Sequence, residues 1–368
     1  MNQLIAVAVS GGIDSLVAAH LLKEQGRRIV GIHFITGYET SPDFHVPKTV
    51  STEDGIKNHP AAIDSAAASD LTSCFQDRLG IQVKVIDLRA EFKSSVVDYF
   101  IRTYRFGKTP NPCLVCNASI KFGALLDAAR EMGSTCLATG HYARITNDEQ
   151  GKFHLLKGAD RGKDQSYFLG FLTQKQLAHA IFPLGEMTKN QVLQLANEKK
   201  LRPIRNRESQ DVCFIQGKSY GEFLAQSSKI EPQPGMIEDL NGNPLGTHPG
   251  LHLFTVGQRR GIDCPSSAPY YVIRMDREKN RLVVGRRKDL LSSACRVEKI
   301  NWINQEPTSP IKVHTKVRYR NEAVESVLFP IDGETVTVRF QNPQMAVTPG
   351  QGAMFYKEDE LLGGGWIE

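Results

Sequence analysis

Leu4-Ile5-Ala6-Val7-Ala8-Val9-Ser10-Gly11-Gly12-Ile13-Asp14-Ser15-Leu16-Val17-Ala18-Ala19-His20-Leu21-Leu22 decides how the rest of the chain is read. An apolar run, two adjacent glycines and a helical pattern follow one another, which is the order strand, turn, helix. Paired glycines let backbone N–H groups close around a phosphate, and the helix start behind them adds positive partial charge. Ser10 and Ser15 can donate hydroxyls, and Asp14 is placed to hold a magnesium ion that shields phosphate charge. Ala8, Val9, Ser10, Gly11, Gly12, Ile13, Asp14 and Ser15 are therefore the candidate phosphate-binding stretch. No lysine follows the second glycine, so the loop is not of the GxxxxGK[ST] type. The plain alternative is a tight βα turn with an acidic helix start.

Working outward, strands and helices alternate up to about residue 200. Further strands are expected at 29–34, 83–86 and 135–139, with helices near 61–79, 90–104 and 118–132. This is the signature of a doubly wound α/β fold, a parallel sheet covered on both faces, whose ligands sit at the carboxyl ends of the strands. The segment 38–60 has no period and reads as a surface loop. After about residue 228 Pro and Gly punctuate short alternating segments. A hairpin is expected around 276–280, and strands over 312–320, 335–340 and 353–356. These predict small antiparallel β domains, the last barrel-like. The expected division is 1–205, a catalytic α/β domain, then 206–290 and 291–368.

A chain of 368 residues is long enough for two or three domains, and 40% hydrophobic with 23% charged residues is ordinary for a globular protein. The net charge of +5 permits an anionic partner without demanding one. Seven cysteines in no regular array, with no leader ahead of the first strand, predict a reducing cytoplasm. No apolar run approaches the ~20 residues of a membrane span.

Cys113 and Cys116 form a CxxC between prolines and a helix, and Cys213 follows far downstream. Such a pair could be half a zinc site, a redox pair or a coincidence of composition. A zinc site would need a second pair, and no other CxxC exists. Cys116, read as preceding a helix that starts near Ala118, is expected to gain thiolate character from the helix N-terminus. Cys74 and Cys136 read as small buried hydrophobes, and Cys264 and Cys295 have no partner motif.

Together with SGGIDS at 10–15, several blocks resemble the tRNA-specific 2-thiouridylases, a family of the ATP pyrophosphatase superfamily. These are TPNPxxxCN at 109–117, IKFGALL at 120–126, ATGHYAR at 138–144 and LLKGADRGKDQSYFL at 155–169. FPLGE at 182–186, GLHLFTVGQRRGI at 250–262, VRYR at 317–320, VTPGQ at 347–351 and LGGGWIE at 362–368 extend the resemblance nearly end to end. It implies a cytoplasmic enzyme that uses ATP with Mg2+ to adenylate O2 of the wobble uridine in the tRNA anticodon stem-loop. Sulfur then replaces that oxygen, releasing AMP and pyrophosphate. It also implies that Phe34 and Gly140 contact the adenylate, that Cys116 is the nucleophile and that Cys213 carries sulfur as a persulfide, received from a sulfur-donor protein. Asn111, Pro112 and Cys113 are implied to touch the flipped base, and His141, Lys163, Asp164, Gln165, Arg318, Tyr319 and Gln351 to lie near the tRNA. A monomer is the expected state. Read alone, His141 could be a satisfied core histidine, Arg318 and Arg320 a solvated strand face, and Gln258-Arg259-Arg260 a surface turn.

The chain departs from the family at Cys113, where the usual form has Asp. A persulfide relay needs only Cys116 and Cys213. Three thiols at 113, 116 and 213 could instead hold a four-iron four-sulfur cluster with one iron open to sulfide, and the third thiol favours the cluster for this chain. Cys113 could also merely pack or pair with Cys116. Two other functions are compatible with such a loop: an ATP pyrophosphatase adenylating a small metabolite, and a non-catalytic RNA-binding protein. The twin cysteines speak against the first, and the intact loop with Asp14 against the second.

Overall fold

The computed structural model describes residues 3–39, 66–203, 212–215, 219–228 and 233–368. From residue 40 onward the expected loop at 38–60 lies outside these.

β1 (Leu4–Ala8) is the middle strand of a five-stranded parallel sheet. On one side lie β2 (Arg28–Ile35) and β3 (Val83–Asp87), on the other β4 (Ser134–Ala138) and β7 (Ala180–Ile181). The run in β1 is apolar at every position because both faces are covered. Ala6 packs with Ile32, Leu125 and Leu137, whereas Ile5 and Val7 pack with Leu16, Val17 and Phe75. The chain builds outward from β1 to β3, then returns to place β4 on the opposite side. The glycine loop leaves the carboxyl end of β1 at this reversal, where an open α/β sheet has its crevice.

The expected strands match β2, β3 and β4, and the expected helices match Ala66–Leu79, 89–105 and 112–131. The last of these starts earlier than the expected 118, because Pro112 takes its first turn, where a missing N–H costs nothing.

β8 (Gly235–Glu238), β9 (Pro244–His248), β10 (Tyr271–Asp276) and β11 (Arg281–Gly285) form a second sheet, and β10–β11 is the expected hairpin. β12 (Leu291–Trp302), β13 (Ile311–Lys316), β14 (Val324–Asp332), β15 (Thr335–Met345), β16 (Gly352–Lys357) and β17 (Glu360–Ile367) form the barrel. The order is β12-β15-β14-β13-β16-β17, and β12 pairs again with β17 to close it. The strand expected over 312–320 ends at Lys316. Beyond it Asn321 N–H donates to Arg318 O, and the Arg318 side chain turns inward to Val256 O and Thr348 Oγ1.

A hairpin of β5 (Ala143–Asn147) and β6 (Phe153–Lys157) leaves the α/β region and extends the barrel sheet, pairing Leu155 and Leu156 with Leu361 and Glu360. Nothing in the periodicity had signalled it. One core therefore runs through both regions, with Leu155, Tyr167, Met354, Tyr356 and Leu361 all buried in it. A Cβ on Gly170 or Gly364 would fall on Met354, so the two glycines make room for that side chain. Full burial of a Met contributes about 1.5–3 kcal/mol. Among the described residues no helix is long and apolar enough to cross a membrane.

His154 on β6 ties the hairpin to the barrel: its Nδ1 lies 2.6 Å from Glu360 Oε1 and its Nε2 3.3 Å from Asp148 Oδ2. The hydrogen bond to Glu360, ahead of that to Asp148, holds its pKa above the usual 6.5. A raised folded-state value means stabilisation that is complete below 6.5 and lost as pH rises through the folded value. We predict that the drop in Tm caused by His154→Gln is largest near pH 6 and shrinks toward pH 8.5. An equal drop at both pH values, measured by thermal unfolding, would remove the ionic account of this contact.

Candidate active site

Gly11 sits at φ 79°, in the left-handed region that suits glycine, and Gly12 caps the helix Ile13–Glu24 with no side-chain bond. Ser15 Oγ donates to Gly12 O at 2.9 Å. Ser10 N–H and Gly12 N–H reach only hydroxyl oxygens, at 3.3 and 3.4 Å. Donors held by such long bonds are readily taken by a charged acceptor. Val9 N–H, bonded to Ile32 O at 2.9 Å, fixes the loop to the neighbouring strand. Phe34 lies opposite Ile86, toward the same carboxyl edge of the sheet.

β4 runs into Thr139-Gly140-His141, which crosses this edge. A Cβ on Gly140 would stand 2.9 Å from the Asp14 carbonyl carbon and 3.1 Å from its Cβ, so the segment rests directly on the glycine loop. The Asp14 carboxylate accepts from Tyr142 Oη at 2.7 Å and from Lys189 Nζ at 2.7 and 2.9 Å. A magnesium ion on Asp14 would have to compete with that ammonium. One residue beyond Gly140, His141 is buried. Lys121 Nζ donates to its Nε2 at 3.4 Å, and its Nδ1 lies 2.6 Å from Thr139 Oγ1. Burial first, then the Lys121 charge, holds the imidazole pKa well below its usual value. Neutral at pH 7, it accepts at Nε2 and carries its proton on Nδ1.

The thiols occupy the helix over 112–131. Asn111 precedes it, donating from Nδ2 to Tyr167 Oη at 3.4 Å and from its backbone to Tyr99 Oη at 3.3 Å. Asn117 Nδ2 bridges Cys113 O and Phe168 O at 3.0 and 3.1 Å. Over Cys116–Leu125 the helix winds in wide turns, with Gly123 at φ −105° and ψ −107°. Cys113 and Cys116 are half-buried, Cys213 is exposed at the surface, and none of the three is in a disulfide. Burial pushes the Cys116 thiol up to about 12, and the Cys213 thiol to about 11; Cys113 also rises. Exposed as its side chain is, Cys213 has enough protein around its sulfur for desolvation to dominate.

Cys113 and Cys213 each raise the Cys116 thiol, and the Lys121 charge lowers all three. The three cysteines and Lys121 thus share one electrostatic neighbourhood. The expected thiolate at Cys116 is not found. Its helix begins at Pro112, which carries Cys116 past the N-terminal turn, and burial outweighs the dipole.

Three thiols suit an iron–sulfur cluster in kind. They share one neighbourhood, and among the described residues no three His, Cys, Asp or Glu side chains are gathered around a point that would hold a single metal ion.

The remaining expected residues lie around this edge, largely engaged with protein. Asp164 is buried and accepts from Gly158 N–H and Ser166 N–H, both at 3.0 Å. Gln165 Oε1 accepts from Tyr142 N–H at 3.0 Å, and Lys163 N–H donates to Asp160 O. Tyr319 packs its ring 4.3 Å from Phe168. Gln351 Nε2 donates to Thr109 O and Pro110 O at 3.1 and 3.0 Å, stapling the barrel to the loop that leads into the thiol helix. Arg259 and Arg260 are exposed. Sequence reasoning missed Lys121, Tyr142 and Lys189. The available signal for Lys189 was a lysine directly after a capping threonine, where the helix dipole disfavours a cation.

Residues 3–217 match the tRNA methyl transferase HUP domain, 221–286 the tRNA methyl transferase PRC-barrel domain, and 292–367 the aminomethyltransferase beta-barrel domain. The tRNA-specific 2-thiouridylase MnmA of Desulfosudis oleivorans is 49% identical over 366 residues, covering 100% of this chain and 95% of the relative. That of Geobacter metallireducens is 41% identical over 367 residues, covering 99% and 96%. With every sheet described above falling inside these full-length matches, the chain belongs to the tRNA-specific 2-thiouridylase family.

Proposed function

We propose that this chain is a tRNA uridine 2-sulfurtransferase working by adenylation followed by sulfur transfer. The observation that carries the reading is the segment Thr139-Gly140-His141. Through Gly140 it lies on the phosphate loop, and through His141 and Lys121 it reaches the thiols, so one short stretch joins the two halves of the chemistry.

ATP lies with its phosphates in the loop Ser10–Ser15 and its adenosine toward Phe34 and Gly140. The uridine O2 displaces pyrophosphate from the α-phosphorus, and the poor leaving group becomes AMP. In the relay, Cys213 carries the outer sulfur of a persulfide received from a donor protein. That sulfur attacks C2 and AMP departs. The Cys116 thiolate then attacks the Cys213 sulfur, freeing 2-thiouridine and leaving a Cys116–Cys213 disulfide for an external thiol to reduce. Lys121 supplies the positive charge that offsets burial when either thiol ionises. Cys113 favours a second reading, in which Cys113, Cys116 and Cys213 would hold an iron–sulfur cluster that delivers sulfide. Tyr319 and the arginines of the barrel offer stacking and phosphate contacts to an anticodon stem-loop.

Cys116→Ser and Cys213→Ser are expected to abolish 2-thiouridine formation on an unmodified tRNA transcript while ATP binding persists. Retained thiolation in either variant would overturn the assignment. Running wild type iron-stripped with a persulfide donor and iron-reconstituted with sulfide, both anaerobically, separates the routes. Product from the stripped enzyme upholds the relay, and product only after reconstitution replaces it by the cluster. Gly140→Ala should raise KM for ATP roughly ten- to hundredfold, since its Cβ forces the loop aside. An unchanged KM would show that the loop yields without cost.

A further inference from the structure

Lys189 is a charged side chain that the proposed reaction leaves unexplained. It is only 8% exposed and stands at the first residue of the helix Lys189–Glu198. Burial and the helix dipole both oppose an ammonium there. The helix does not depend on this side chain for its start. Thr188 and Gln191 cap it reciprocally, and Lys189 N–H donates to Asp160 Oδ2 at 2.8 Å. Asp14 does not depend on it alone either, because Tyr142 Oη donates to the same carboxylate at 2.7 Å. What the lysine does is cancel the one negative charge in a loop of weakly engaged N–H donors, with its ammonium 2.7 and 2.9 Å from the two carboxylate oxygens.

We propose that Lys189 is a phosphate-binding residue of the glycine-loop site, parked on Asp14 until the polyphosphate of ATP, or the pyrophosphate released from it, draws it across. This rests on the nucleotide reading above. A polyanion entering the loop would meet repulsion from a bare Asp14, and the parked ammonium both removes that repulsion and supplies a counter-charge at the same place. The arrangement also makes the lysine and a divalent cation successive partners of one carboxylate, so that anion entry and cation entry assist each other.

The test is calorimetric binding of inorganic pyrophosphate without divalent cation to the full-length wild type, Lys189→Met, Asp14→Asn and the double variant. Lys189→Met should weaken binding roughly ten- to hundredfold, the range for a charge-assisted contact, and Lys189→Arg should restore most of it. Asp14→Asn should bind more tightly than wild type, because it frees the lysine and removes the repelling charge, and the double variant should fall well below Asp14→Asn. Wild-type affinity in Lys189→Met, or a double variant that binds as tightly as Asp14→Asn, overturns the proposal alone. No binding by wild type overturns the phosphate reading of the loop and this proposal with it. Should Lys189→Met alone fail to fold, the comparison of Asp14→Asn with the double variant still decides, since the double variant leaves no carboxylate unpaired and a purely structural lysine predicts equal affinity in the two.

Discussion

The backbone of Gly140 lies against the backbone of Asp14 at a separation that leaves no room for a β-carbon. From that contact the rest of the site takes its positions. It sets the end of β4 on the glycine loop. It fixes where His141 points, and with it Lys121 and the helix that carries Cys113 and Cys116. The barrel reinforces the same edge from the other side through Gln351, whose amide holds the carbonyls of Thr109 and Pro110 just ahead of that helix. Precision at the reacting atoms is thus supplied by rigid elements rather than by the loops themselves.

The thiol region is governed by desolvation. It lifts all three sulfhydryls and pushes His141 to its neutral form, and Lys121 is the charge that works against it for the thiols. Protonated thiols are poor nucleophiles and poor targets for oxidation. As they stand, the three sulfurs are therefore held as thiols at neutral pH. At the other end of the edge, Asp14 is matched by a cation in the same way.

How far this was legible in the sequence follows from the range over which each signal acts. The β1 strand and glycine loop were readable because the apolar run, the glycines and the helical pattern are contiguous. The cysteine positions were readable, but not their state: Pro112 looked like part of a loop, when its fixed φ and missing N–H make it the first turn of the helix. Lys189 and Tyr142 were out of reach, since they meet Asp14 across 175 and 128 positions of chain. Arg318 looked like a strand residue because Lys312 to Arg320 alternates; its guanidinium in fact tethers the barrel to Val256 O. The β5–β6 hairpin gave no sign because its partner strand lies at the far end of the chain.

That partner strand, β17, has a double task. It closes the barrel against β12 and covers the open edge of β6. Its residues, Glu360–Ile367, meet the hairpin across a long stretch of chain, His154 and Glu360 standing 206 positions apart. Without them, the hairpin presents unpaired backbone donors and acceptors, and the barrel carries a gap beside them. A chain that lacks β17 displays both edges together. Damage to this one strand therefore yields a sticky molecule in place of a weakened one, because two unpaired edges side by side invite pairing with other chains.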